Sequence, residues 1–174
     1  MMTSTVSVPV DVVVVAQTPP PHHGQSIMYQ YLLEGHYTRI RLHHVRMAFS
    51  ETLSEVGRPR AGKLLHLFRV IMGVARQRLH GARAILYYPP AGPALVPVLR
   101  DIILLLLTRW MFRNTVFHFH AAGLADFVAG LPQPLRVLAR AAYRNAALSI
   151  RVSASGPDDG RQLGARRDVV IPNG

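Results

Sequence analysis

Two histidines one residue apart, His118 and His120, stand in the segment TVFHFH at positions 115–120. In an extended strand side chains alternate between faces, so both rings share one face while Phe117 and Phe119 enter a core on the other. His120 falls at the carboxyl end of that strand. An imidazole there can meet a substrate hydroxyl or a developing charge; the alternative is a buried histidine satisfied by a backbone carbonyl. A His-x-His pair also raises a metal, with His22-His23 or His43-His44 as further ligands. The chain has no cysteine and few acids near these pairs, so no metal site is expected. The lack of cysteine also excludes a disulfide scaffold and a cysteine nucleophile.

A second constellation is the loop TPPPHHGQS at 18–26, which leads straight into a helical pattern. A glycine at position 24 lets the backbone approach a ligand, and the open amides of a helix start suit a phosphate. Equally, three prolines stiffen an exit loop and Gly24 eases a turn. The loop is neither the dinucleotide G-x-G-x-x-G nor a Walker loop ending in Gly-Lys-Ser/Thr. The acids are sparse, nine in all. Asp101 beside Arg100 within an apolar stretch reads as a partnered charge, and Asp126 either pairs with an arginine or starts a helix. Ser26, Ser153 and Ser155 serve as caps and turns as readily as nucleophiles, and spacing supports no Ser-His-Asp set.

The elements that must carry these residues alternate between strand and helix. Residues 12–15 are four valines in a row, the continuous apolar run of a strand buried on both faces. Further strands are expected at 40–45, 84–88, 115–120, 148–152 and 169–171. Helical patterns fill the gaps at 24–33, 63–79, 94–111 and 134–145. In the second of these, Leu64, Phe68, Ile71, Ala75 and Leu79 form one apolar face, and His66, Arg69, Arg76 and His80 lie opposite. The third is apolar nearly all round, as for a helix packed between layers. Residues 49–62, with two glycines, a proline and four charges, read as a mobile loop. The alternation predicts an α/β fold, a Rossmann-like doubly wound parallel sheet of about six strands, in one domain spanning 1–174. In such sheets ligands bind beyond the carboxyl ends of the strands, which selects the loops already named.

At 174 residues and 49% hydrophobic content the chain has material for one core, and disorder is excluded. The first seventeen residues lack a positive start and are interrupted by Asp11, so they make a poor signal peptide. The greasy run at 102–107 is six residues long, against roughly twenty for a span. A cytoplasmic location is expected, peripheral at the inner face of a membrane at most. The net charge is +11, and all its cations but Lys63 are arginine. Arg69 and Arg76 with Lys63 on one helix, and Arg136, Arg140 and Arg144 on another, are either solvated faces or sites for an anionic partner. No helix-turn-helix or base-stacking strand motif is present, so nucleic acid is not expected. A basic amphipathic helix suits a membrane interface better.

In order, VVVVAQTPPPHHGQS, VFHFHAAG, SIRVSASG and the terminal IPNG resemble the N-terminal half of retaining GT-B glycosyltransferases. That large family includes bacterial lipopolysaccharide, phosphoinositol mannoside and sucrose-related transferases, and the resemblance runs over essentially the whole chain. It implies one half of a GT-B fold, mainly holding the acceptor. It also implies a nucleotide-diphosphate sugar as donor substrate, a glycan or lipid-linked acceptor, and no separate cofactor. Gly24, preceded by His23 where relatives often have a second glycine, matches the loop that approaches the donor diphosphate. His120 matches the histidine that contacts the transferred sugar. Ser153 matches the serine ending a later strand, and Asn173 and Gly174 match the turn into the second domain. The family's paired glutamates, with seven residues between them, are absent, so the chain is expected to be a truncated half with little activity alone. A non-catalytic module for an anionic ligand or a membrane surface is the competing expectation, and another α/β enzyme acting on nucleotides a third.

Overall fold

The computed structural model describes residues 8–48, 61–80 and 84–172. The chain order is β1 (Val10–Ala16), α1 (Gly24–Glu34), β2 (Ile40–Arg46), α2 (Ala61–His80), β3 (Ile85–Tyr88), α3 (Leu95–Thr108), a 3-10 turn (Arg109–Met111), β4 (Asn114–Phe119), α4 (Leu124–Gly130), α5 (Gln133–Tyr143), β5 (Leu148–Arg151), α6 (Asp159–Gln162) and β6 (Asp168–Val170). The strands form one sheet in the order β2-β1-β3-β4-β5-β6, and every neighbouring pair is parallel. Parallel neighbours need crossovers, and right-handed ones put α1 on one face of the sheet and the later helices on the other. This is the α/β, Rossmann-like doubly wound architecture expected from the strand–helix alternation.

The valine run of β1 lies at the centre of this arrangement. Val12 and Val14 pack with Tyr29 of α1, while Val13 and Val15 pack with the larger helical layer. Both sets are buried, which is why the strand carries no polar alternation. The register Val14–Tyr87–Val116 then carries the α1 face across to β4. His118 lies on that face, and Phe117 and Phe119 enter the opposite core.

Two expectations about the helices need correction. In α2 the sheet-facing residues are Leu67, Val70 and Val74, whereas Leu64, Phe68 and Leu79 are exposed. The apolar arc of this helix is wider than one interface: the sheet takes one side of it and Leu64, Leu65, Phe68 and Met72 remain on the outside. In α3, Val98, Ile102, Leu104 and Leu105 are buried, but Leu95, Val96, Ile103, Leu106 and Leu107 are exposed. The helix lies between α2 and α5 in a single layer and is not enclosed, because no second layer of described residues covers it. Of the expected loop at 49–62, residues 49–60 lie outside the described residues and 61–62 open α2.

Short elements that composition does not reveal finish the layer. Asp159 at the start of α6 is buried and accepts hydrogen bonds from the backbone N–H groups of Gly123 (2.9 Å) and Ala125 (2.7 Å), so it caps α4 from a distance of 36 residues in sequence. Gly123 precedes α4 with φ of 88°, a left-handed conformation that favours glycine. Asp126 lies in the first turn of α4, one of the two roles expected of it. Next to Asp159, Gly160 lies so close to β5 that a Cβ would collide with the Ser149 side chain. Gly160→Ala should therefore destabilise the fold by about 1–3 kcal/mol, read as a lower denaturation midpoint. Gly130→Ala, where a Cβ meets nothing within 4 Å, should cost far less and serves as the control.

Candidate functional site

The carboxyl edge of β1, β3 and β4 opens on a cavity of about 430 Å³. Its walls come from Gln17 after β1, the start of α1 at His23, Gly24 and Gln25, Met47 after β2, the loop Pro89-Pro90-Ala91-Gly92 after β3, Pro97 and Arg100 of α3, and His120 and Ala121 after β4. His23, Gly24 and His120, which lie almost a hundred residues apart, are thus brought together. Ser153 is not among the lining residues. It is exposed, its Oγ accepts from the Ser155 N–H at 3.2 Å, and Arg151 ties down the surrounding loop carbonyls. Asn173 and Gly174 lie outside the described residues.

His23 has a structural task as well as a place in the wall. Its Nδ1 accepts from the Ser26 N–H at 3.2 Å, and the His23 N–H donates to Ser26 Oγ at 3.1 Å. This reciprocal cap closes the first turn of α1, whose first residues Gly24 and Gln25 line the cavity. At Gly24 an added Cβ would meet nothing within 4 Å, and φ is not positive. No turn and no packing contact requires glycine there. What the missing side chain leaves open is space beside the cavity.

The rings of His118 and His120 lie with centroids 4.2 Å apart, tilted by 39° to one another. Tyr29 Oη of α1 lies 2.9 Å from His120 Nε2, and Tyr87 Oη of β3 lies 2.5 Å from His118 Nδ1. His120 is therefore satisfied by a tyrosine and not by a backbone carbonyl. Burial pushes both imidazoles down to about 4, with the neighbouring ring adding to the effect at His118. Burial also holds the Tyr29 and Tyr87 hydroxyls protonated, well above the ordinary tyrosine range. At neutral pH the cluster is uncharged. With Nε2 engaged by Tyr29, His120 has Nδ1 to offer a ligand as a hydrogen-bonding atom, not a cation.

The remaining histidine pairs do other work. His43 Nε2 lies 2.7 Å from Asp11 Oδ1, and His44 Nε2 lies 3.0 Å from the Ala16 carbonyl, so both stitch β2 to β1. No three His, Asp or Glu side chains among the described residues group as metal ligands. Tyr29, Tyr87 and Arg100 also belong to the site. No sequence motif marks them for it, since each reaches the cavity or its histidines only through the register of the sheet.

The fold and site together define an α/β domain of Rossmann-like type with an open, uncharged-histidine cavity at its carboxyl edge. No protein-family model, curated protein or solved structure matches the chain. Among the described residues no helix is long and apolar enough to cross a membrane.

The neutral histidines make stability depend on pH. Their folded values of about 4 lie below the ordinary histidine value of 6.5, so the unfolded chain binds more protons between these limits. Stability should be full above pH 6.5 and fall as the pH drops from there to 4. The loss should amount to a few kcal/mol, roughly 1.4 kcal/mol for each tenfold change in a ring's proton affinity on folding. Chemical denaturation at pH 7, 5.5 and 4.5 measures the slope. His118→Gln should flatten it.

Proposed function

We propose that this chain is the acceptor-side domain of a retaining glycosyltransferase of GT-B type. The observation that carries the reading is the convergence of Gly24, at the start of α1, and His120, at the end of β4, on one cavity at the carboxyl edge of the sheet. In the reaction the bond from the anomeric carbon of the sugar to the donor diphosphate breaks. A bond from that carbon to an acceptor oxygen forms with retained configuration, and the acceptor proton passes to the phosphate oxygen of the leaving nucleoside diphosphate. His120 hydrogen-bonds the transferred sugar. The leading amides of α1 offset the charge that develops on the leaving phosphate. Loops after β1, β2 and β3 select a glycan or lipid-linked acceptor.

Tyr29 supports this role by holding the His120 ring. Isotope-edited NMR titration of the chain with UDP-glucose and GDP-mannose tests the reading. Weak binding is expected, with dissociation constants near or above about 1 mM, and shifts confined to Gly24, Gln25 and His120. Gly24→Ala should leave the fold intact while reducing those shifts, and His120→Ala should remove them. Micromolar binding that bypasses both residues would overturn the assignment.

The competing reading, a module that docks on an anionic membrane surface, is favoured by a different observation. Leu65, Phe68, Met72 and Leu79 form an exposed row on α2 with Arg76 in line and Arg69 beside it. The neighbouring α3 exposes Ile103, Leu106 and Leu107, and Trp110 follows at 77% exposure. Apolar side chains edged by arginine suit the interface of a bilayer. Both readings hold together if the acceptor is lipid-linked. Sedimentation with phosphatidylglycerol vesicles, against phosphatidylcholine, should show salt-sensitive binding. The Leu65→Ser/Phe68→Ser pair should weaken it by about tenfold or more.

A further inference from the structure

His118 is 5% exposed, and its Nε2 is buried with no hydrogen-bond partner among the described residues. Its other ring nitrogen, Nδ1, lies 2.5 Å from Tyr87 Oη. The Tyr87 hydroxyl also interacts with that of Tyr29, and Tyr29 Oη lies 2.9 Å from His120 Nε2. The side chains thus form one row, His118, Tyr87, Tyr29 and His120, of which only His120 lines the cavity. At neutral pH each hydroxyl and each imidazole in the row carries a single proton.

If each contact is to hold one proton and no hydroxyl is left without an acceptor, all the donations run the same way. Donation toward His118 would fill its Nδ1 from Tyr87 and put its own proton on Nε2, a buried N–H with nothing to accept it. Donation the other way starts from His118 Nδ1–H and passes through Tyr87 and Tyr29 to His120 Nε2. It leaves only a lone pair unmet at His118 Nε2. Orphaned buried N–H groups are rarer than under-satisfied acceptors, which selects the second direction. Tyr29 turns its proton to Tyr87 only once Tyr87 has lost its own, far above neutral pH.

We propose that His118 and Tyr87 are positioning residues that fix the proton of His120 on Nδ1, so that His120 meets a ligand as a hydrogen-bond donor and the ligand must present an accepting oxygen. The nitrogen that carries the proton in a neutral imidazole is set by the bond the other nitrogen makes. With Nε2 receiving from Tyr29 and Nδ1 protonated, the His120 ring offers the cavity no lone pair. It cannot take a proton from a bound hydroxyl, the task of a general base, but it can hold an oxygen on which negative charge gathers. Hydroxyl, ring and phosphate oxygens fit this requirement; an ammonium group, which only donates, does not. The inference rests on the glycosyltransferase reading only for calling the ligand a sugar.

Nitrogen-15 spectra of the whole chain with labelled histidine, recorded at neutral pH through couplings to the carbon-bound ring protons, distinguish the tautomers before any ligand is added. Both rings are expected to show a protonated Nδ1 and a bare Nε2. A His120 ring protonated on Nε2 would overturn the inference, and the unaltered chain alone decides this. Tyr87→Phe keeps the ring but removes the link, so the His120 proton should spread over both nitrogens and their shifts converge. His118→Phe removes the first donor and should do the same, so the link is tested even if one variant fails to fold. A merely structural role would lower the denaturation midpoint and leave the His120 tautomer as it was, and that result would overturn the positioning roles. Addition of UDP-glucose should move the His120 Nδ1–H signal while the proton stays on Nδ1. A response at Gly24 and His120 in which the proton passes to Nε2 would overturn the donor role and keep the glycosyltransferase reading. An Nδ1 proton with no response to UDP-glucose would leave the inference standing and remove that reading.

Discussion

A carboxylate with no contact to water, Asp101, joins four separate parts of this molecule. It accepts from Tyr88 at the end of β3, from Tyr143 at the end of α5, from the Ala91 amide in the loop between β3 and α3, and from its own neighbour Arg100. Burying an ion is costly unless its charge and all its lone pairs are met. Here the requirement is satisfied only when the sheet, two helices and one loop take up their native positions together. Losing any one donor leaves the charge under-compensated, so the cluster makes the geometry of the cavity wall depend on the packing of the core.

A second polar cluster lies on the opposite face of the sheet, with a different electrostatic character. Tyr29, Tyr87, His118 and His120 are packed edge to face and linked by hydroxyl–imidazole contacts. None of them carries charge at neutral pH. Among the described residues, the cavity between the two clusters combines an arginine paired with Asp101, a helix start and a neutral imidazole.

The outer surface of the helical layer follows from a shortage of partners. A sheet can bury only one side of each helix laid on it. Because α2 and α3 have apolar arcs broader than that, Phe68, Met72, Leu107 and Trp110 are left facing outward.

The amino-acid order by itself determined the strands and their parallel arrangement, because β-branched runs such as residues 12–15 and the alternation of 115–120 are local patterns that a buried strand imposes directly. It also determined that His118 and His120 share a face, since a period of two needs no knowledge of the partner strand. Only the tertiary structure decided which arc of α2 meets the sheet, because an arc wider than one interface offers several equivalent choices. It alone brought Tyr29 to His120 and Arg100 to the wall opposite Gly24, since these meetings depend on the register of three strands and on where a buried carboxylate holds its neighbour. Short elements such as α6 are illegible in the sequence for the same reason: four residues carry no periodicity, and Asp159 finds its partners 34 and 36 positions away in the chain.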